Sequence, residues 1–294
     1  MLNKIKSLFV QDKQIQITDE SGKSSLISEK KWRKKELPKQ LKLHWDDSKR
    51  LSDDIAFALK DGYASDILNA TKRLIEIDIL PERSYILRAI ALIETGSLDE
   101  ADNLICNYHE KFEKTSASLI NHAKIFARKN DSETAEKLLL EGLEIDPNTD
   151  EGIRWYTSIH KERFGNEGYK KSLEEICKLK GSWKAYLWLG RFFLIEKDNE
   201  SALKIYNHYF RIAEERDRAL LMLSADLGQY GLLNDMIELV GVQYIVEKHD
   251  TRIGFNLIKA YKQLGMKNDE SMLINQLREL NNNDVNTELN IYLR

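Results

Sequence analysis

Residues 181–213 read GSWKAYLWLGRFFLIEKDNESALKIYNHYFRIA. Tyr186, Leu189 and Phe193 recur at three- and four-residue spacing on one helical face, with Gly190 among them where a neighbouring helix can approach closely. Lys197, Asp198 and Asn199 break that pattern with polar turn formers, and Ala202, Ile205, Tyr206 and Tyr209 resume it. Two amphipathic helices joined by so short a turn lie antiparallel. A single such hairpin cannot bury both of its faces, so the stretch demands neighbours of its own kind.

Those neighbours are present. Taking Lys197 as the turn, equivalent positions fall at Gly62, Gly96, Asn130, Phe164 beside Gly165, Gly231 and Gly265, at steps of thirty-three or thirty-four residues. Gly and Asn tolerate the left-handed backbone that ends a helix. Ala101, Ala135 and Ala202 share the place five residues past the turn, where a small side chain lets the second helix pack on the first.

The period and its residues resemble the tetratricopeptide repeat (TPR) family. The best copies are Tyr186, Leu189, Gly190 and Phe193 with Ala202 and Tyr206, and Leu119, Ala123 and Phe126 with Ala135 and Leu139, closed by Asp146-Pro147-Asn148. Tyr85, Ala89, Leu92, Gly96, Ala101 and Ile105 form another copy, and Leu257, Tyr261, Leu264 and Gly265 match the first helix of the last. The unit over 150–182 departs, with Tyr169 where Ala is usual and with Gly165 and Gly168 close by, which predicts a distorted turn. The chain is similar to uncharacterised bacterial TPR proteins. The resemblance implies an all-α fold, a right-handed α-solenoid of about seven helical hairpins over residues 48–284, followed by a cap over 285–294.

Residues 1–47 form an extension of different character. Gln14 to Thr18 alternates polar and apolar, turn formers follow from Asp19 to Gly22, and Ser24 to Ile27 completes the pattern of a β-hairpin. The segment from Glu29 to Glu36 is basic and contains Trp32. Its two readings are a nucleic-acid contact through Lys30, Lys31, Arg33, Lys34 and Lys35, and a solvated helix face with Trp32 packed on the first hairpin; the second is favoured.

With 45 basic and 48 acidic residues the whole chain is no generic polyanion binder. The apolar run near the N-terminus is too short for a secretory core, no stretch approaches a membrane span, and Cys106 and Cys177 have no disulfide, redox or metal spacing. A cytoplasmic protein is expected. His44, His109, His122, His160, His208 and His249 show no metal-binding pair, and no phosphate loop or nucleophile elbow is present, so neither a cofactor nor catalysis is expected.

The resemblance also implies where a ligand goes, because in such arrays the first helix of each hairpin lines a concave groove. In this register the lining contains Lys49, Arg83, Lys124, Arg154, Lys161, Lys184, Arg191, Arg218, Arg252, Lys259 and Lys262, with Glu151 as its one acid. Phe255 in the lining, and Trp155 and Trp188 one position round, are candidate apolar anchors, with the inter-hairpin core as their alternative place. The leading expectation is a scaffold or adaptor holding an acidic peptide or protein segment. The alternatives are a structural or co-chaperone protein docking through its outer face or residues 1–47, and a nucleic-acid-associated regulator using residues 30–35. Asn121 with Lys124, and Arg252 with Asn256 and Lys259, are pieces of the chaperone-tail clamp found in some TPR proteins.

Overall fold

The computed structural model describes residues 14–18 and 24–292. The first residues and the turn of the expected β-hairpin lie outside this range. The hairpin's strands are present, β1 (Gln14–Thr18) antiparallel to β2 (Ser24–Ser28), with Ile15 opposite Ile27. All other regular structure among the described residues is helical. The chain divides into two compact units, residues 1–142 and 143–294.

In the first unit, Ser28 caps α1 (Glu29–Lys31), which runs through a π-helical segment (Trp32–Glu36) into α2 (Leu37–Leu43). Trp32 is buried together with Leu37, Leu41, Leu51 and Ile55 and meets Phe57 edge-on at 6.0 Å. Arg33 pairs with Asp66 at 2.6 Å and lies 5.2 Å from the Tyr63 ring centre. The indole is therefore part of the core and is not open for stacking on a base. Buried Asp54 ties α2 to α3, its carboxylate 2.7 Å from His44 Nδ1.

Three hairpins follow: α3 (Ser48–Lys60) with α4 (Leu68–Ile77), α5 (Pro81–Glu94) with α6 (Leu98–Lys111), and α7 (Ser116–Arg128) with α8 (Ser132–Ile145). Successive first helices pack side by side, α3 on α5 and α5 on α7. Ala101 and Ala135 are both buried, as their small size at the crossing of paired helices predicts.

The second unit opens with α9 (Asp150–Cys177), a hairpin reduced to a kink. Gly165, at φ 65° and ψ −154°, breaks the helix by itself. The expected turn at Phe164 thus falls one residue later, and it is distorted as the glycines predicted. Next come α10 (Lys184–Ile195) with α11 (Asn199–Ile212), and α12 (Arg216–Gln229) with α13 (Leu233–Met236) and a π-helical segment (Ile237–Gly241). The last hairpin is α14 (Thr251–Gln263) with α15 (Lys267–Glu279), and α16 (Asn283–Tyr292) covers it by burying Val285 and Leu289.

The six other turns adopt positive φ at the expected residues: Gly62, Gly96, Asn130, Lys197, Gly231 and Gly265. Lys197 is the costly one, since a left-handed backbone costs an ordinary side chain about 1–2 kcal/mol and glycine little. With φ at 63° and its side chain exposed, Lys197→Gly is expected to raise stability by about 1 kcal/mol, read as a higher denaturant midpoint. An unchanged or lower midpoint would mean that contacts of the lysine offset the backbone cost.

Candidate functional site

In the second unit the loop before α10 is fastened to the start of α9 by one side chain. Asn148 Oδ1 accepts from the backbone N–H groups of Trp183 and Lys184 at 2.8 and 3.0 Å, and its Nδ2 donates to the Gly181 carbonyl at 2.9 Å. The first N–H groups of a helix lack intrahelical partners, so Asn148 supplies one where Trp183, the residue before α10, cannot. This fixes the starts of α9 and α10 beside each other, and Lys184 Nζ then reaches Asp150 Oδ2 at 3.2 Å.

Between α9, α10 and α12 lies a cavity of about 300 Å³. Its wall carries Arg154, Lys184, Arg191 and Arg218 against one carboxylate, Asp150, with Trp183, Leu187, Trp188, Tyr209 and Met222 as the apolar part. The helical repeat explains the convergence. Lys184, Trp188 and Arg191 are spaced four and three residues apart, so they share one face of α10. Arg191 stacks its guanidinium 5.4 Å from the Trp188 ring centre and contacts Met222 Sδ at 3.6 Å.

The four cations are not equivalent. Arg191 Nε donates to Asp226 Oδ2 at 2.8 Å, and Tyr206 donates its O–H to the same oxygen at 3.0 Å. Burial disfavours the charge on Arg191, but the hydrogen bond and the charge of Asp226 outweigh it and leave the Arg191 pKa above its ordinary value. Lys184 is half-buried and engaged with Asp150. Arg154 is exposed, its Nε bonded to the Asp150 carbonyl of its own helix at 3.2 Å, and Arg218 is exposed beside Glu215 at 3.1 Å in a solvent-screened pair. The cations open to a newcomer are therefore Arg154 and Arg218. Burial pushes the Tyr209 phenol up to about 12, which keeps it neutral.

The remaining expected site residues do not join this cavity. Lys124, in the first unit, is half-buried with Nζ 3.2 Å from Asn121 Oδ1. Lys161 is exposed above Tyr169, 5.4 Å from its ring centre. Arg252 is held bidentately by Asp250, Arg83 likewise by Asp78, while Lys49, Lys259 and Lys262 are exposed. Phe255, expected as an anchor in the groove, is a correction: at 5% exposure it packs in the core of the second unit, because its position on α14 faces inwards with Leu257 and Ile258 nearby. Trp155 and Trp188 are half-buried. The chaperone-clamp asparagines are spent internally, Asn121 on the Ala117 carbonyl at 2.8 Å and Asn256 on Ser224 Oγ at 2.9 Å.

Sequence reasoning missed Asp150, Trp183, Tyr209 and Asp226. Asp226 carried a usable signal, since it continues the apolar spacing of Leu220 and Leu223 on α12, and a carboxylate on a buried face requires a partner. The thiols offer no activated nucleophile. Cys177 is pushed up to about 12 by burial, and Cys106 is raised by burial and by the negative charge of Asp102. No helix among the described residues is long and apolar enough to cross a membrane.

Residues 116–149 match the family model described as tetratricopeptide repeat. No curated protein sequence matches the chain. Among solved structures the chain is similar to the Naa15/Naa10 complex bound to HypK-THB, at 15% identity and TM-score 0.40, covering 82% of this chain and 38% of that one. It is also similar to YrrB, a TPR protein with an unusual peptide-binding site, at 12% identity and TM-score 0.35, covering 63% of this chain and 95% of that one. PilF of Pseudomonas aeruginosa aligns at 15% identity and TM-score 0.37, over 68% of this chain and 91% of that one. The repeat matched at 116–149 lies inside a run of helical hairpins whose turns recur in the same register.

Proposed function

We propose that this protein is a non-catalytic protein-interaction adaptor that holds an acidic peptide segment at the cavity between α9, α10 and α12. The observation that carries this reading is the convergence of Arg154, Lys184, Arg191 and Arg218 with the Trp188 indole on one concavity of about 300 Å³. Arg154 and Arg218 supply the open charge that steers and orients a carboxylate, and the wall of Trp183, Leu187 and Trp188 gives an adjacent apolar side chain a surface to bury. Arg191 and Lys184 set the field while remaining tied to their own carboxylates. Both cysteines are free thiols, in keeping with a place in the reducing cytoplasm.

The test is selection of a phage-displayed random peptide library on the purified protein, followed by affinity measurement on the enriched peptides. Peptides enriched in Asp or Glu next to an apolar residue are expected. Their affinity should fall by roughly tenfold or more in an Arg154→Glu, Arg218→Glu variant, and should weaken with added salt. Lys34→Glu, Lys35→Glu, on the exposed N-terminal segment, is expected to be silent. Peptides of no charge preference, or equal binding by the double variant, would overturn the assignment. A loss confined to the 34/35 variant would move the site to the N-terminal segment.

A further inference from the structure

Asp102 and Cys106 stand one turn apart on α6, so their side chains leave the same face of the helix. From the adjoining α7, His122 brings its Nε2 to 2.8 Å from Asp102 Oδ1, and Cys106 Sγ lies 3.7 Å from that same oxygen. All three donor atoms lie within 4.8 Å of one another. Ligands of a tetrahedral ion with bonds of about 2.0 Å to N and O and about 2.3 Å to S are separated by about 3.3–3.5 Å. The His122–Asp102 and Cys106–Asp102 separations are each within about half an ångström of that spacing, so a central ion asks mainly that Cys106 and His122 close on each other.

The surroundings suit a cation. His122 is buried, and its Nδ1 has no hydrogen-bond partner. The neighbouring His109 ring stands 5.6 Å from it and is engaged elsewhere, its Nε2 2.9 Å from Ser118 Oγ. Lys129 Nζ holds the other carboxylate oxygen of Asp102 at 2.8 Å and also reaches exposed Asp99 at 2.9 Å. That ammonium orients Asp102 from outside and has a second carboxylate to rest on when Asp102 turns to a metal. Cys106 is exposed, which gives the ion an entry path and leaves a coordination position for water.

We propose that Asp102, Cys106 and His122 form a binding site for a borderline-soft divalent transition ion, Zn²⁺ above all, that clips α6 to α7. The mixed S, N, O donor set is the ground for Zn²⁺ over Mg²⁺ or Ca²⁺, which take oxygen ligands. On binding, the Cys106 thiol gives its proton to solvent and the metal–sulfur bond forms. The imidazole binds neutral through Nε2, with its proton on Nδ1, and the Asp102–His122 hydrogen bond is replaced by one bond from each residue to the ion. No electron is transferred. The clip joins the second hairpin to the third within the first unit, and none of its residues lines the peptide cavity of the second.

Titration of the tag-free, chelator-treated full chain with Co²⁺ tests the site. One equivalent is expected, with a thiolate-to-cobalt charge-transfer band and the strong visible bands of a four-coordinate ion, all displaced by Zn²⁺. Zn²⁺ is expected to raise the melting temperature of the parent protein. In Cys106→Ser, which alters an exposed side chain and should fold normally, the charge-transfer band should vanish and Zn²⁺ affinity drop by at least about tenfold. In His122→Asn the stoichiometric binding should likewise be lost. Absence of the band in the parent protein, its survival in Cys106→Ser, or undiminished binding in His122→Asn would each overturn the site.

Discussion

Asp226→Ala is expected to remove about 3 kcal/mol of stability, a fall of roughly 6–12 °C in melting temperature for a unit of this size. The magnitude follows from what the carboxylate joins. A single oxygen of Asp226, on α12, accepts from Arg191 on α10 and from the Tyr206 hydroxyl on α11, so three helices from two successive hairpins meet at one atom. Truncation leaves a guanidinium that is 28% exposed without its counter-charge and a wholly buried phenol without a partner. Loss of one partner of a largely buried pair costs more than the pair itself contributes, because the survivor stays desolvated. Asp226→Asn should cost less, since the amide retains an acceptor, and Tyr206→Phe about 1 kcal/mol. Chemical denaturation of the three variants measures this, and a cost below about 1 kcal/mol for Asp226→Ala would show that the helices hold together without the junction. The same junction has an alkaline signature. Burial, then Asp226, raises the Tyr206 pKa, so above about pH 10 the unfolded chain loses that proton while the folded one keeps it, and stability should decline as pH rises. It also dictates the choice of Arg218 over Arg191 as the binding-site variant: Arg191→Glu would set a second carboxylate against Asp226 and confound binding with folding.

The hairpins were legible because their determinants are local. Apolar spacing of three and four residues fixes each helix, and the turn residues set the period, which is why Lys197 was placed at a turn although its left-handed backbone was expected only of Gly and Asn. The failure by one residue at Phe164 has the same origin. Gly165 pivots the chain within one residue, so no polar loop marks the break. What joins hairpin to hairpin was less visible. Asn148 was legible only as the end of an Asp-Pro-Asn closing signal, yet it works by reaching residues 181–184. Asp102, Cys106 and His122 come from two helices with no shared spacing, so the one-dimensional search for paired metal ligands passes over them. Of the expected basic lining, Arg154, Lys184, Arg191 and Arg218 are brought to one cavity, but linear reading gave no account of Asp150 and Asp226, the acids that engage two of them.

Gly190→Ala is expected to destabilise the protein by about 2 kcal/mol, although alanine is the better helix former by about 1 kcal/mol. The reason is distance. A Cβ at Gly190 would lie 2.1 Å from Cε1 and 2.5 Å from Cδ1 of Tyr206, so something must move. The ring cannot swing outwards cheaply, because Tyr206 is fully buried and its hydroxyl is tethered to Asp226. Moving α10 away from α11 instead would disturb Leu189 and Leu194, both buried on the same helix. Gly190→Leu should cost more, as each added carbon enters the same closed space. The contact makes a second, sharper prediction in a double-mutant cycle. Replacing the ring by Tyr206→Leu creates the room that a methyl group at position 190 requires, so the double variant should be less damaged than the sum of the singles by at least about 1 kcal/mol. Equilibrium unfolding of the four proteins decides it. A neutral or stabilising Gly190→Ala would mean that helix propensity outweighs the contact. Strict additivity would mean that the cost arises elsewhere than at the Gly190–Tyr206 approach.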